Sequence, residues 1–179
     1  MFEDNDIKIA GEKIKTYNGN DTSDARLMPN TTSIRLGTEL GEKIAKEYLL
    51  AITDQGPGAN DMSEEEDLLL QRKVLLSFAA LSGFERFCDN NDYSSAAKSQ
   101  FLTYIKNESL DMWQTATDNG ALSFYYLSFR RGGEVERRVG QTFAMLCSHD
   151  GDPVYQELGE ALYCWFTSVV KRKIEELEN

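Results

Sequence analysis

From residue 33 onwards, the apolar residues of the chain recur with the period of an α-helix. Leu40, Ile44 and Tyr48 share one face of a first helix, because residues three and four apart lie on the same side of a helix. Similar stripes recur to the end of the sequence, and no later segment alternates as a β-strand does. The pattern predicts an all-α protein, built as an irregular bundle of six or seven helices.

The segment from about residue 63 to residue 89 is predicted to be a long central helix. It opens with Ser63-Glu64-Glu65-Glu66, in which a serine precedes a glutamate by three positions, as in a capping box. A helix that is apolar on two faces must be covered on both, so we expect this one at the centre of the bundle. One stripe is formed by Leu70, Val74, Leu81, Phe84 and Cys88, and a second by Leu69, Leu76, Ala80 and Phe87.

Turn and capping residues divide the rest of the chain. Asn119-Gly120 is typical of a helix end, and Gly132-Gly133 closes an aromatic-rich helix over residues 121–131. Asp152-Pro153 predicts the start of the final helix, with Asp as the cap and Pro in the first turn.

The aromatic run 124–129 is interpreted as core, with its tyrosine hydroxyls reaching solvent. A pocket lining is the alternative interpretation of that run.

Small residues recur near the start of the first helix. Gly37, Gly41 and Ala45 lie at intervals of four, so a second backbone can approach that face closely. The spacing favours a close crossing inside the bundle, and a dimer contact is the alternative.

Residues 1–30 differ from the rest and are predicted to be a polar N-terminal arm and linker. Ile7-Lys8-Ile9 and Lys13-Ile14-Lys15 alternate around Gly11, as in a small β-hairpin. Residues 18–24 are polar and contain glycine, as linkers do. Residues 31–179 are then expected to form a single helical domain.

The charge of the chain excludes some classes of partner. Thirty acidic and nineteen basic residues give a net charge of -11, which repels nucleic-acid phosphates and anionic membrane surfaces. The segment 74–84, among the longest without a charge, has eleven residues, whereas a membrane span needs about 20. The first six residues are acidic rather than apolar, unlike a secretory signal. Three cysteines without a Cys-x-x-Cys pair are interpreted as reduced core thiols, which predicts a cytoplasmic protein.

One basic cluster stands out in this acidic chain, with four arginines within residues 130–138. A glycine turn followed by a helix start, flanked by guanidinium groups, is typical of an anion site. The residues of this candidate ligand site are Tyr125, Tyr126, Arg130, Arg131, Arg137 and Arg138. Glu134 precedes Arg137 and Arg138 by three and four positions, the spacing of helix-surface ion pairs. The interleaved charges favour an ion-paired surface over an anion site.

Catalytic and metal-ligand patterns are weak. His149 is the only histidine, and it lies two residues after Cys147, so on a helix the two side chains point in different directions. Three isolated cysteines and one histidine do not make a zinc site, and no Glu-x-x-His motif occurs, so no metal or cofactor is predicted. We therefore expect a non-enzymatic interaction module, with a protein partner or self-association. The alternative is a sensor or enzyme for an anionic small molecule, with its site at residues 130–138.

Overall fold

The computed structural model describes residues 30–53 and 66–178 of the chain, with the side chains of Glu66 and Asn119 excepted. About 87% of these residues are helical and none forms a strand, which confirms the all-α prediction for this part of the chain. The predicted N-terminal hairpin and the predicted Ser63 cap lie outside the described residues. The helices are α1 (Thr31–Thr53), α2 (Glu66–Phe87), α3 (Asn91–Glu108), α4 (Leu110–Ala116), α5 (Asn119–Arg130), α6 (Val135–Leu146) and α7 (Pro153–Glu178).

The predicted central helix corresponds to α2, which contacts each of the six other helices. Every residue from Val74 to Phe84 is buried, as expected for a helix that is apolar on two faces. The first turns differ from the prediction, because Leu70 is 42% exposed and Leu69 is also exposed. The apolar stripe therefore starts one turn later than the sequence pattern predicts, at Val74.

The small residues of α1 mark a close crossing with α3. A Cβ atom at Gly37 would lie 2.4 Å from the carbonyl oxygen of Tyr93, and one at Gly41 would lie 2.3 Å from that of Ala97. These distances are shorter than any real Cβ contact, so the two backbones meet at a spacing that only glycine permits. The preferred interpretation of this spacing, an internal helix crossing, is confirmed.

Side-chain caps set the starts of several helices. The Asn90 side chain accepts a hydrogen bond from the Tyr93 backbone N–H in α3, and Asp152 accepts one from Val154 in α7. The predicted start of the last helix at Pro153 is confirmed. The prediction for Asn119-Gly120 was wrong, because Asp118 accepts bonds from the N–H groups of Gly120 and Ala121 and makes this pair the first turn of α5. An aspartate cap opens a helix where the Asn-Gly pair alone suggested an end.

Within the described part of the chain, no helix is both long enough and apolar enough to cross a bilayer.

Candidate functional site

The arginine cluster lies at one end of a helical hairpin formed by α5 and α6. Gly132 and Gly133 both have positive φ, at 64° and 69°, the left-handed conformation that glycine adopts without a Cβ clash. The Arg138 guanidinium folds back from α6 and donates a hydrogen bond to the Gly132 carbonyl oxygen. This hydrogen bond connects the turn to α6, and it uses one of the arginines that were predicted to bind a ligand.

The other charges of the cluster pair in part as the sequence suggested. Arg137 donates to Glu134 at 3.1 Å, and both side chains are mostly exposed. Glu136 lies 3.5 Å from Arg86 of α2, so it pairs outside the cluster. Exposed ion pairs of this kind each contribute about 0–1 kcal/mol to the free energy of unfolding. Within the described residues, Arg130 and Arg131 are exposed and form no ion pair with a carboxylate.

The two candidate tyrosines point into the protein. Tyr125 is fully buried, and its ring stacks on Phe78 of α2 with 5.2 Å between centroids. Its hydroxyl has no hydrogen-bond partner among the described residues, and burial raises its pKa well above the usual value. Tyr126 is half-buried and meets the same Phe78 ring edge-on, and burial raises its pKa to about 12. The structure therefore brings Arg131 and Arg138 together but places Tyr125 in the core.

Arg131 and Arg138 border a shallow depression of about 270 Å³ between α5 and α6. Ser128 and Thr142 both line it, and their hydroxyls form a hydrogen bond of 2.8 Å between the two helices. Gln141, Met145 and Asp150 complete the lining. Asp150 places a carboxylate in the same depression and so opposes a bound anion.

Large apolar side chains are exposed beside these arginines. Phe124 and Leu127 of α5 are 48% and 54% exposed, and Met145 of α6 is 40% exposed. Phe124 and Met145 each lie one turn from the Ser128–Thr142 bond, so they occupy the same level of the hairpin. We define the α5–α6 face as the surface that carries Phe124, Leu127, Arg131, Arg138 and Met145.

Sequence reasoning missed the apolar part of this face, because it assigned residues 124–129 to the core. The helical spacing contained a usable signal. Phe124, Leu127 and Arg131 follow one another at three and four residues, so they share one side of α5. An apolar stripe that continues into an arginine belongs on a surface, and Tyr125 and Phe129 on the other side supply the core.

Burial keeps the cysteine thiols in the protonated form. Burial raises the pKa of Cys147 and of Cys88 to about 12, and it also raises that of Cys164. These thiols therefore stay protonated near neutral pH, and the thiolate is the nucleophile. The His149 ring stacks on the Tyr155 ring with 3.7 Å between centroids.

Among the residues that the structure describes, no group of three or more His, Cys, Asp or Glu side chains could hold a metal ion. Comparison with protein-family models, with curated proteins and with solved structures found no match for this chain.

Proposed function

We propose that this protein is a non-enzymatic interaction module that binds an acidic, apolar-containing segment of a protein partner through the α5–α6 face. The observation that carries this proposal is the combination of exposed Phe124, Leu127 and Met145 with Arg131, which forms no ion pair among the described residues, in a chain of net charge -11. The net negative charge of the chain repels an acidic partner in general. The arginines of the α5–α6 face attract such a partner, so they direct it to this face.

The apolar side chains and the arginines of the α5–α6 face contribute to binding in different ways. Apolar groups removed from water contribute roughly 25 cal/mol per Å², and Phe124, Leu127 and Met145 supply such area. Arg131 presents a planar fork that matches a carboxylate. The Arg138 guanidinium already donates a hydrogen bond to the Gly132 carbonyl oxygen, so its side chain is ordered before a partner binds. A partner segment therefore needs apolar side chains at the level of Phe124 and a carboxylate near the glycine turn.

A binding role fits the chemistry of the rest of the chain. The cysteine thiols are held protonated by burial, which disfavours cysteine nucleophiles. The three cysteines are all free, and free thiols are typical of a reducing compartment. We include a cytoplasmic location in the proposal on this ground.

A selection from a random displayed peptide library tests the proposal. Wild-type protein should enrich peptides that combine Asp or Glu with Leu, Phe or Met. A synthetic copy of an enriched peptide should bind more weakly at high salt, because screening reduces the attraction of exposed charges. Leu127→Asp and Arg131→Glu should each weaken binding about tenfold or more, as loss of an interface anchor does.

Leu50→Asp is the matched control, because Leu50 is equally exposed, at 57%, but lies on α1. It should bind the peptide as the wild type does. Enriched peptides without an acidic bias, or binding that is equal in the wild type and in Leu127→Asp, would contradict the proposal.

A second candidate is a site for an anionic small molecule at the depression between α5 and α6. It is favoured by the convergence there of Arg131, Arg138, Gln141 and two hydroxyl groups. The nearby Asp150 and the burial of Tyr125 weigh against it. Phosphate that raises the melting temperature more than chloride at equal ionic strength, with the increase lost in Arg131→Ala, would favour this site over the peptide face.

A further inference from the structure

The outward side of α7 carries an ordered stripe of exposed residues. α7 packs on α1, α2 and α6 through its other side. Val154, Ala161, Trp165, Ser168 and Arg172 recur at helical spacing and are all exposed. Val154 is 68% exposed and Trp165 is 39% exposed. A partly open indole beside small residues offers apolar area and room for a second helix.

The charges on this stripe are arranged symmetrically about its centre. Glu157 lies eight residues before Trp165, and Arg172 lies seven residues after it. Ala161 and Ser168, both small, lie between them at four and three residues from Trp165. A helix that ran antiparallel across this stripe with the same sequence would place Glu157 opposite Arg172, and Ala161 opposite Ser168.

We infer that α7 packs antiparallel against α7 of a second copy of this chain, about a two-fold axis beside Cys164 and Trp165. An isologous interface uses the same patch on both subunits, so the patch must be self-complementary. The order of acid, small residue, tryptophan, small residue and base along the stripe meets this requirement. Both Glu157–Arg172 pairs then form between the copies. Glu175 of each copy also lies near the α7 N-terminus of the other, where the helix dipole favours an anion.

The charges of the stripe are available for these contacts. Arg172 lies 3.8 Å from Glu176 in its own helix, and both side chains are about half exposed. Such a pair contributes little to stability, so Arg172 is not held in place. Glu157 is exposed and forms no ion pair with any other described residue. This surface is separate from the α5–α6 face, so the inference stands without the proposed function.

Size-exclusion chromatography with light scattering on the full chain tests the inference. The wild type should have twice the monomer mass at high concentration. Trp165→Glu should raise the dissociation constant about 30-fold or more, as loss of a central aromatic anchor does. Glu157→Arg should raise it about tenfold, because two attractive contacts become repulsive. The exchange Glu157→Arg with Arg172→Glu should restore the dimer.

Two further variants make the outcome specific. Copper phenanthroline, which oxidises two nearby thiols to a disulfide, should give a covalent dimer through Cys164 that is absent in Cys164→Ser. Leu127→Glu, on the α5–α6 face, should remain dimeric, and circular dichroism should show that every variant is folded. A monomeric wild type, a dimer that Trp165→Glu leaves intact, or a dimer lost in Leu127→Glu would overturn the inference.

Discussion

At the scale of single residues, burial separates neighbours that look alike in the sequence. Phe124 is about half exposed, whereas Tyr125 is fully buried and stacks on Phe78. Adjacent positions differ by about 100° around a helix, so one can face the core and the next the solvent. The tyrosine hydroxyls expected near solvent are therefore not equivalent, since that of Tyr125 lies in the core.

The buried Tyr125 hydroxyl gives a residue-scale prediction. It has no hydrogen-bond partner among the described residues, and an unsatisfied buried polar group costs about 1–3 kcal/mol. Tyr125→Phe should therefore leave the free energy of unfolding unchanged or raise it by about 1 kcal/mol, as measured by urea denaturation.

Tyr48→Phe is the matched control, because the buried Tyr48 donates its hydroxyl proton to the Lys73 carbonyl oxygen at 3.2 Å. Loss of this hydrogen bond in Tyr48→Phe should lower the free energy of unfolding by about 1 kcal/mol. A Tyr125→Phe variant that is less stable than Tyr48→Phe would mean that the Tyr125 hydroxyl is bonded.

At the scale of elements, close backbone contacts decide how helices pair. The crossing of α6 and α7 resembles that of α1 and α3. A Cβ atom at Gly140 would lie 2.3 Å from the carbonyl oxygen of Gln156. The contacting atom belongs to the backbone, which cannot rotate away as a side chain does.

Gly140→Ala should therefore lower the free energy of unfolding by about 1–3 kcal/mol, as overpacking in a core does. The loss should appear although alanine favours helix over glycine by about 1 kcal/mol. Gly120→Ala is the control, because the nearest atom to its Cβ would be a side-chain oxygen of Asp118, at 3.2 Å, and not a backbone atom. Equal effects of the two substitutions in urea denaturation would contradict a close α6–α7 crossing.

At the scale of the whole molecule, buried titrating groups link stability to pH. Burial raises the pKa of the Cys88 and Cys147 thiols to about 12, whereas an unfolded thiol titrates near about 8.5. The native state then holds protons that the unfolded state has lost. The stability that these thiols contribute is complete below the unfolded pKa and falls as pH rises towards 12.

The free energy of unfolding should consequently decrease between about pH 8 and about pH 10.5, where unfolded thiols lose their protons. Cys147→Ala should show a smaller decrease than the wild type, because one of the linked groups is gone. Met145→Ala, two residues away and unable to titrate, should keep the wild-type slope. Urea denaturation at both pH values measures the difference, and identical slopes for the two variants would contradict the linkage.

The candidate site was predictable only in part. The sequence located the arginine cluster, the glycine turn and the Glu134–Arg137 pair, because these are local in the chain. It did not reveal that Arg138 bonds the Gly132 carbonyl oxygen, or that Arg131 and Met145 border the same depression. Those features depend on how α5, the glycine turn and α6 pack together. The spacing of residues within one helix does not show which other segment packs against that helix.

Local patterns in the sequence were enough to predict the all-α class, the central place of α2 and the start of α7 at Pro153, because periodicity and capping depend on residues that are close together in the chain. Which apolar residues are buried depends instead on how the helices pack against one another. Leu70 continues the stripe of Val74 in sequence but is exposed, and Phe124 belongs to an aromatic run but lies at the surface. A helix specifies its own faces, but the distant helices that pack on it decide which of those faces lose their contact with water.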